Sequence, residues 1–360
     1  MRHVAFGLGL LLTTAAFAQE KVVNFLNWND YIDPAVLEEF TKETGIKVVY
    51  DVTDSNESIE AKIITGKSGY DLAVPTGMFL QRQIKAGVYR PLDKSKLTNY
   101  GNLWPVIMQR LEAFDPGAKY AIPYLYFTVG LAYNVDKVNA ALGETADTLS
   151  WDLLFKPENA KKLAKCGIQV LDSPEELIPT TLNYLKLDPN SSDQKDLDAV
   201  AKAWGGISKS IKKFSGADYI DAIANGDLCV VAGYSGDLLQ AKNRAIEAKN
   251  KVNINFYIPK EGAAILLDSV AIPKDAPHPE EAHALLNFLL RPDVAAKIST
   301  FVSYANPNLP SQKLLPAEII NNPAIYPDEA TVARMFTILP ADNKTRRTIT
   351  RMWTRIKSGR

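Results

Sequence analysis

Between residues 22 and 87 the sequence alternates short β-branched apolar runs with amphipathic segments, and this alternation restricts the fold more than any other feature. Residues 22–26 read as a strand. Asp33 then caps a helix whose first residue is Pro34, and Val36, Leu37 and Phe40 give that helix an apolar stripe. Gly45 suits the left-handed residue that ends it. Residues 46–52 read as a second strand, 56–65 as a polar-capped helix, and 71–74 as a third strand ending at Pro75-Thr76. A further helix runs to a stop at Gly87. A βαβαβ start builds a mainly parallel sheet with helices on its faces. Ligands of such sheets sit beyond the carboxyl ends of the strands, so residues 28–31 and 75–76 are candidate site loops.

The pattern resumes further along. Residues 122–133 are mainly apolar and aromatic and suit a crossing between two lobes. Residues 134–257 carry their own alternation, in which 172–176 and 233–237 are again loops from a strand end into a helix. Residues 253–258 read as a return strand and 265–272 as another, with Asp268 inside it. Residues 279–290 form a helix with an apolar stripe, and the remainder is helix and proline-rich turns. No stretch looks like a flexible linker. The expected class is α/β, two lobes tied by crossing strands with a cleft between them.

At 360 residues the chain is long enough for two ordinary domains. Lys plus Arg and Asp plus Glu both number 41, and no basic run carries interleaved aromatics, so nucleic acid has no electrostatic footprint. Arg2 and His3 precede an apolar run at residues 4–12, and Ala16-Phe17-Ala18 forms a small-x-small site before Gln19. That layout is a signal peptide at residues 1–18 with cleavage after Ala18, and it is too short to span a bilayer. The expected location is the bacterial periplasm. Two cysteines, Cys166 and Cys229, lie beside apparent strands at 167–171 and 228–232. In an oxidising compartment an even count favours a disulfide, with two buried thiols as the alternative.

Catalytic and metal signatures are missing from the sequence. His278 and His283 flank a helix start and read as exposed, and no H-E-x-x-H, P-loop, G-x-G-x-x-G or G-x-S-x-G pattern occurs. No cofactor is called for. The strand-end loops instead supply the aromatics Trp28, Tyr31 and Tyr234 and the carboxylates Asp30, Glu176 and Asp237, to which a strand adds Asp268. Carboxylates replace the water around an ammonium with charged acceptors. Aromatic faces attract the same cation and cover its methylenes. Each residue alone has an ordinary explanation, as helix cap or core side chain. Together at one cleft they suit an organic cation.

Several motifs then bear a family resemblance along nearly the whole chain. They are Asn27-Trp28-Asn29-Asp30-Tyr31, residues 40–52 (FTKETGIKVVYDV), 71–76, 133–138, 150–153, 156–159, 225–230, 233–237, 258–262 and 325–327. In these the chain resembles the periplasmic polyamine-binding proteins of bacterial ABC importers. The resemblance implies a two-lobed clamp of the periplasmic binding protein kind, a monomer that docks on permease subunits in the inner membrane. It implies lobes at residues 19–132 plus 258–302 and at 133–257 plus 303–360. It also implies that Trp28 walls the aliphatic chain and that Asn29, Asp30 and Thr76 add polar contacts from one lobe. Glu176 and Asp237 would do so from the other, Asp268 would hold an ammonium, and Tyr304 would add an aromatic face. Cys166 and Cys229 match the family's disulfide positions. Asn29 stands where a small hydroxyl residue is usual, and Leu266 where an aromatic boxes the ligand. The resemblance and the retained carboxylates make putrescine the first expectation, and the two altered walls place agmatine, cadaverine, spermidine and γ-aminobutyrate-like amines beside it. A receptor that presents its ligand to a membrane sensor, or a periplasmic enzyme, are the competing classes.

Overall fold

A computed structural model describes residues 21–216 and 218–359. The expected signal peptide lies outside the described residues. Strand β1 (Val22–Trp28) runs into helix α1 (Pro34–Thr44), then β2 (Lys47–Thr53), α2 (Asn56–Ile63), β3 (Leu72–Ala73) and α3 (Gly77–Lys85). The local chemistry is the one the sequence carries. The Asp33 carboxylate accepts from Ala35 N at 2.9 Å, Pro34 opens α1, and Gly45 closes it at φ 70°. Strand β1 lies between β2 and β3, parallel to both.

The long strand β4 (Ala121–Asn134) organises the rest. The others are β5 (Ile168–Val170), β6 (Lys213–Phe214), β7 (Val230–Tyr234), β8 (Ile254–Tyr257), β9 (Ala264–Ala271) and β10 (Phe336–Thr337). The strand order is β2-β1-β3-β9-β4-β7-β5-β6, with β10 on β9 and β8 on β4. Up to Thr128, β4 pairs antiparallel with β9; from Val129 on, it pairs with β7, joined from Leu131 by β8. One continuous strand thus belongs to two sheets, the crossing segment that its apolar sequence predicts. All of it is buried, which explains why it lacks the alternation of a half-exposed strand.

Cys166 and Cys229 form a disulfide just before β5 and β7, which are parallel neighbours with Ile168 opposite Val230. The expectation for the histidines needs correction. His283 is buried: its Nε2 accepts from Asp93 N at 3.0 Å, and its Nδ1 lies 2.6 Å from Pro279 O. His278 is half-buried and pairs at 3.0 Å with the buried carboxylate of Asp71. Both serve packing around the start of helix Pro279–Leu289. Asp172, at the start of a strand-end loop, ties down the C-terminal helix Asn343–Lys357 by accepting from Trp353 Nε1 at 2.7 Å and Lys357 Nζ at 2.6 Å.

Candidate functional site

Three stretches on the first sheet converge. Trp28 ends β1 and donates its indole N–H to Val74 O at 2.9 Å, which pins the ring beside the end of β3. Asn29 and Asp30 follow, both exposed, with Asp30 in the left-handed region at φ 51°. That conformation is one the short polar Asp tolerates better than most residues. It turns the chain so that Tyr31 goes inward, where it is buried. Its hydroxyl donates to Asp268 Oδ2 at 2.8 Å, and Thr76 donates to Asp268 Oδ1 at 2.7 Å. Asp268 is therefore a buried carboxylate on β9 with a hydroxyl donor on each oxygen. Burial pushes its pKa up to about 7, against the opposing effect of those two hydrogen bonds.

The second sheet supplies the opposing wall. Glu176 sits in the first turn of the helix Pro174–Tyr184 and is buried, with no hydrogen-bond partner for Oε2. Burial, and then the charges of Glu175, Glu57 and Asp268, push its carboxyl well above the usual range. An unpartnered carboxylate oxygen in that setting is costly unless a cation or a proton meets it. Asp237, half-buried in the first turn of Ser235–Glu247, accepts from Tyr304 Oη at 2.7 Å and from the Tyr219 hydroxyl. Its pKa is also raised: burial outweighs the two phenol donors, and Asp30 adds a smaller like-charge effect.

Aromatic rings separate these carboxylates. The phenols of Tyr31 and Tyr304 meet edge-on at 5.1 Å, and each ends on a different carboxylate, Asp268 and Asp237. Phe127 packs against Tyr304 at 5.3 Å and against Tyr234 at 5.5 Å. Leu266 is buried on β9 opposite Phe127 of β4, and it shares a face with Asp268, two residues on. The crossing strand thus sets an aromatic ring beside Leu266. Gly236 makes room for Tyr304, since a Cβ there would lie 2.0 Å from its ring.

The predicted residues accordingly gather in one place, with Asn29 and Asp30 at its exposed rim and the others half-buried or buried. Three participants escaped the sequence reading. Tyr219 holds Asp237, Asn56 bonds Thr76 at 3.0 Å, and Phe127 joins the ring cluster. Phe127 alone carried a signal, as an aromatic in the crossing run. Among the described residues no group of three or more His, Cys, Asp or Glu is placed to hold a metal, and no helix is long and apolar enough to cross a membrane.

Known proteins share this architecture. Residues 35–327 match the family of bacterial extracellular solute-binding proteins. The putrescine-binding periplasmic protein SpuD of Pseudomonas aeruginosa is 50% identical over 352 residues, covering 98% of this chain and 96% of that protein. The putrescine-binding periplasmic protein PotF of Escherichia coli is 49% identical over 348 residues, 95% of this chain and 93% of its own. The solved spermidine/putrescine ABC transporter substrate-binding protein PotD of Streptococcus pneumoniae superposes with a TM-score of 0.81 at 29% identity, over 94% of this chain and 99% of that one. A two-lobed α/β fold and similarity on this scale make the chain a member of the bacterial extracellular solute-binding protein family.

Proposed function

We propose that the chain is a periplasmic receptor that binds a small diamine, with putrescine first among the candidates, and delivers it to an ABC importer without covalent chemistry. The observation that carries this reading is the separation of the site's carboxylates into two poles. Asp268, with Glu176 as its charged neighbour, forms one; Asp237, with Asp30, forms the other; Tyr31 and Tyr304 lie between them. A linear dication satisfies both poles at once, and its methylenes meet rings in between. A single cation leaves one buried carboxylate uncompensated. The names of the relatives at 50% and 49% identity support the same ligand class.

The lobes in this reading are residues 19–132 plus 258–302 and residues 133–257 plus 303–360, preceded by a cleaved signal at 1–18. Trp28, Asn29, Asp30, Tyr31, Thr76, Leu266 and Asp268 face the ligand from the first, and Glu176, Tyr234, Asp237 and Tyr304 from the second. Ligand bridging the two half-sites shifts the population toward the closed clamp, which docks on the permease as a monomer. The test is a thermal-unfolding screen on protein unfolded and refolded free of bound solute. A ligand that binds only the folded chain at about a hundred times its dissociation constant adds about 2.7 kcal/mol, visible as a rise in Tm. Putrescine and its near homologues are expected to raise Tm. No rise with putrescine, cadaverine, agmatine, spermidine or γ-aminobutyrate would refute the reading.

A further inference from the structure

We infer that Asn56 is a positioning residue of the amine site: it fixes the Thr76 hydroxyl as a donor to Asp268 and so holds that carboxylate ready for an ammonium. The inference rests on the amine-binding reading above and adds a residue outside the expected ligand contacts. Asn56 opens α2 directly after its cap, Ser55, and is half-buried. Thr76 N donates to Asn56 Oδ1 at 3.0 Å. A backbone N–H can only donate, so this bond sets the orientation of the amide and turns its NH2 toward the Thr76 hydroxyl. Asn56 Nδ2 lies 3.0 Å from Thr76 Oγ1. The hydroxyl has one proton, and one of its lone pairs is now engaged by Asn56. The proton goes to Asp268 Oδ1, 2.7 Å away.

Tyr31 supplies the matching donor to Oδ2 at 2.8 Å. Each oxygen of Asp268 then has one neutral donor and keeps further lone-pair capacity for an ammonium. The polar and titratable groups facing Asp268 are Tyr31, Thr76, Tyr124, Glu176 and Tyr234, and among them only the hydroxyls of Tyr31 and Thr76 favour its ionised form. Without Asn56 the Thr76 hydroxyl is free to rotate its proton elsewhere. Asp268 loses a fixed donor and ionises less readily, and amine capture then needs a higher pH.

The test is titration calorimetry with putrescine on the wild type, N56A, N56D, T76V and the T76V/N56A double variant, from about pH 6 to 9. N56A is expected to bind about three- to tenfold more weakly, the loss of one oriented hydrogen bond. The midpoint of its affinity–pH profile should move to higher pH, which a purely structural loss would not produce. In the T76V background N56A should cost less than about twofold, because the hydroxyl it orients is gone. N56D keeps the acceptor for Thr76 N but replaces the donor with a second acceptor, which draws the hydroxyl proton away from Asp268. It should bind more weakly, although an added negative charge alone would strengthen binding of a dication. It also guards against a folding failure of N56A, since it retains the backbone contact. Wild-type affinity in N56A, equal losses in both backgrounds, or stronger binding by N56D would overturn the inference alone. Failure of the wild type to bind putrescine or any related amine would overturn the amine reading, and this inference with it.

Discussion

Acidification should release the ligand, and the size of the effect follows from Asp268. Burial holds this carboxyl at a pKa of about 7, above its ordinary value of 3.8. An aliphatic ammonium titrates near 10.4, as in lysine, and stays charged throughout the range concerned. Binding therefore selects the ionised form of Asp268. At pH 8 that form dominates, whereas at pH 5 about one molecule in a hundred carries it. The apparent affinity for a diamine should fall about a hundredfold between pH 8 and pH 5, about 2.7 kcal/mol. Glu176 and Asp237 are raised in the same direction and can only steepen the fall. The sign also applies to folding. A group whose folded pKa is raised favours the folded state at low pH, and that contribution is lost as pH rises through about 7. Titration calorimetry measures the affinity. Repeating it at about pH 6 in buffers of different ionisation enthalpy counts the protons released, with close to one or more expected per ligand. D268N should bind weakly and show a shallower profile. Wild-type affinity that stays within about twofold from pH 8 to pH 5, with no proton release, would refute the electrostatic account of the site.

Other perturbations separate the parts of the site. D237N should weaken a diamine by about tenfold to a hundredfold, the range for a hydrogen bond to a charged group, and butylamine by less than about threefold; equal losses in calorimetry would contradict the two-pole arrangement. G236A forces a Cβ into the Tyr304 ring, so a lower denaturation midpoint, equivalent to about 1–3 kcal/mol, should accompany weaker diamine binding; unchanged binding would show that Tyr304 is not held in place by that contact. The disulfide closes a separation of 63 residues, so C166S/C229S should lose up to about 4 kcal/mol of unfolding free energy and keep its affinity; a loss of affinity without a loss of stability would contradict its structural role.

The sequence made the scaffold readable wherever a local signal decides local structure. Asp33, Pro34 and Gly45 mark both ends of α1, and these residues cap it as expected. The unbroken apolar run ending near Tyr133 is β4, and its lack of alternation follows from burial between neighbours in two sheets. The carboxylates Glu176 and Asp237 stand out in the sequence because each follows a strand and opens a helix. What stayed hidden depends on contacts between distant segments. Nothing around Tyr219 announces that its hydroxyl reaches Asp237, and Asn56 looks like an ordinary residue at a helix start until Thr76 is seen beside it. His283 reads as exposed for the same reason: its partner, the Asp93 amide, lies 190 positions away in sequence. Leu266 reads as the loss of a wall until β4 is seen to place Phe127 opposite it.

The central claim is that two carboxylate poles, separated by tyrosines, hold the two ends of one dication. The most direct measurement is a crystal structure of the protein grown with putrescine. The account predicts a four-carbon chain between the rings of Trp28, Tyr234 and Tyr304, with one nitrogen within hydrogen-bond distance of Asp268 and the other within reach of Asp237. A ligand-free cleft at saturating putrescine, or a ligand with both nitrogens at the same pole, would contradict it.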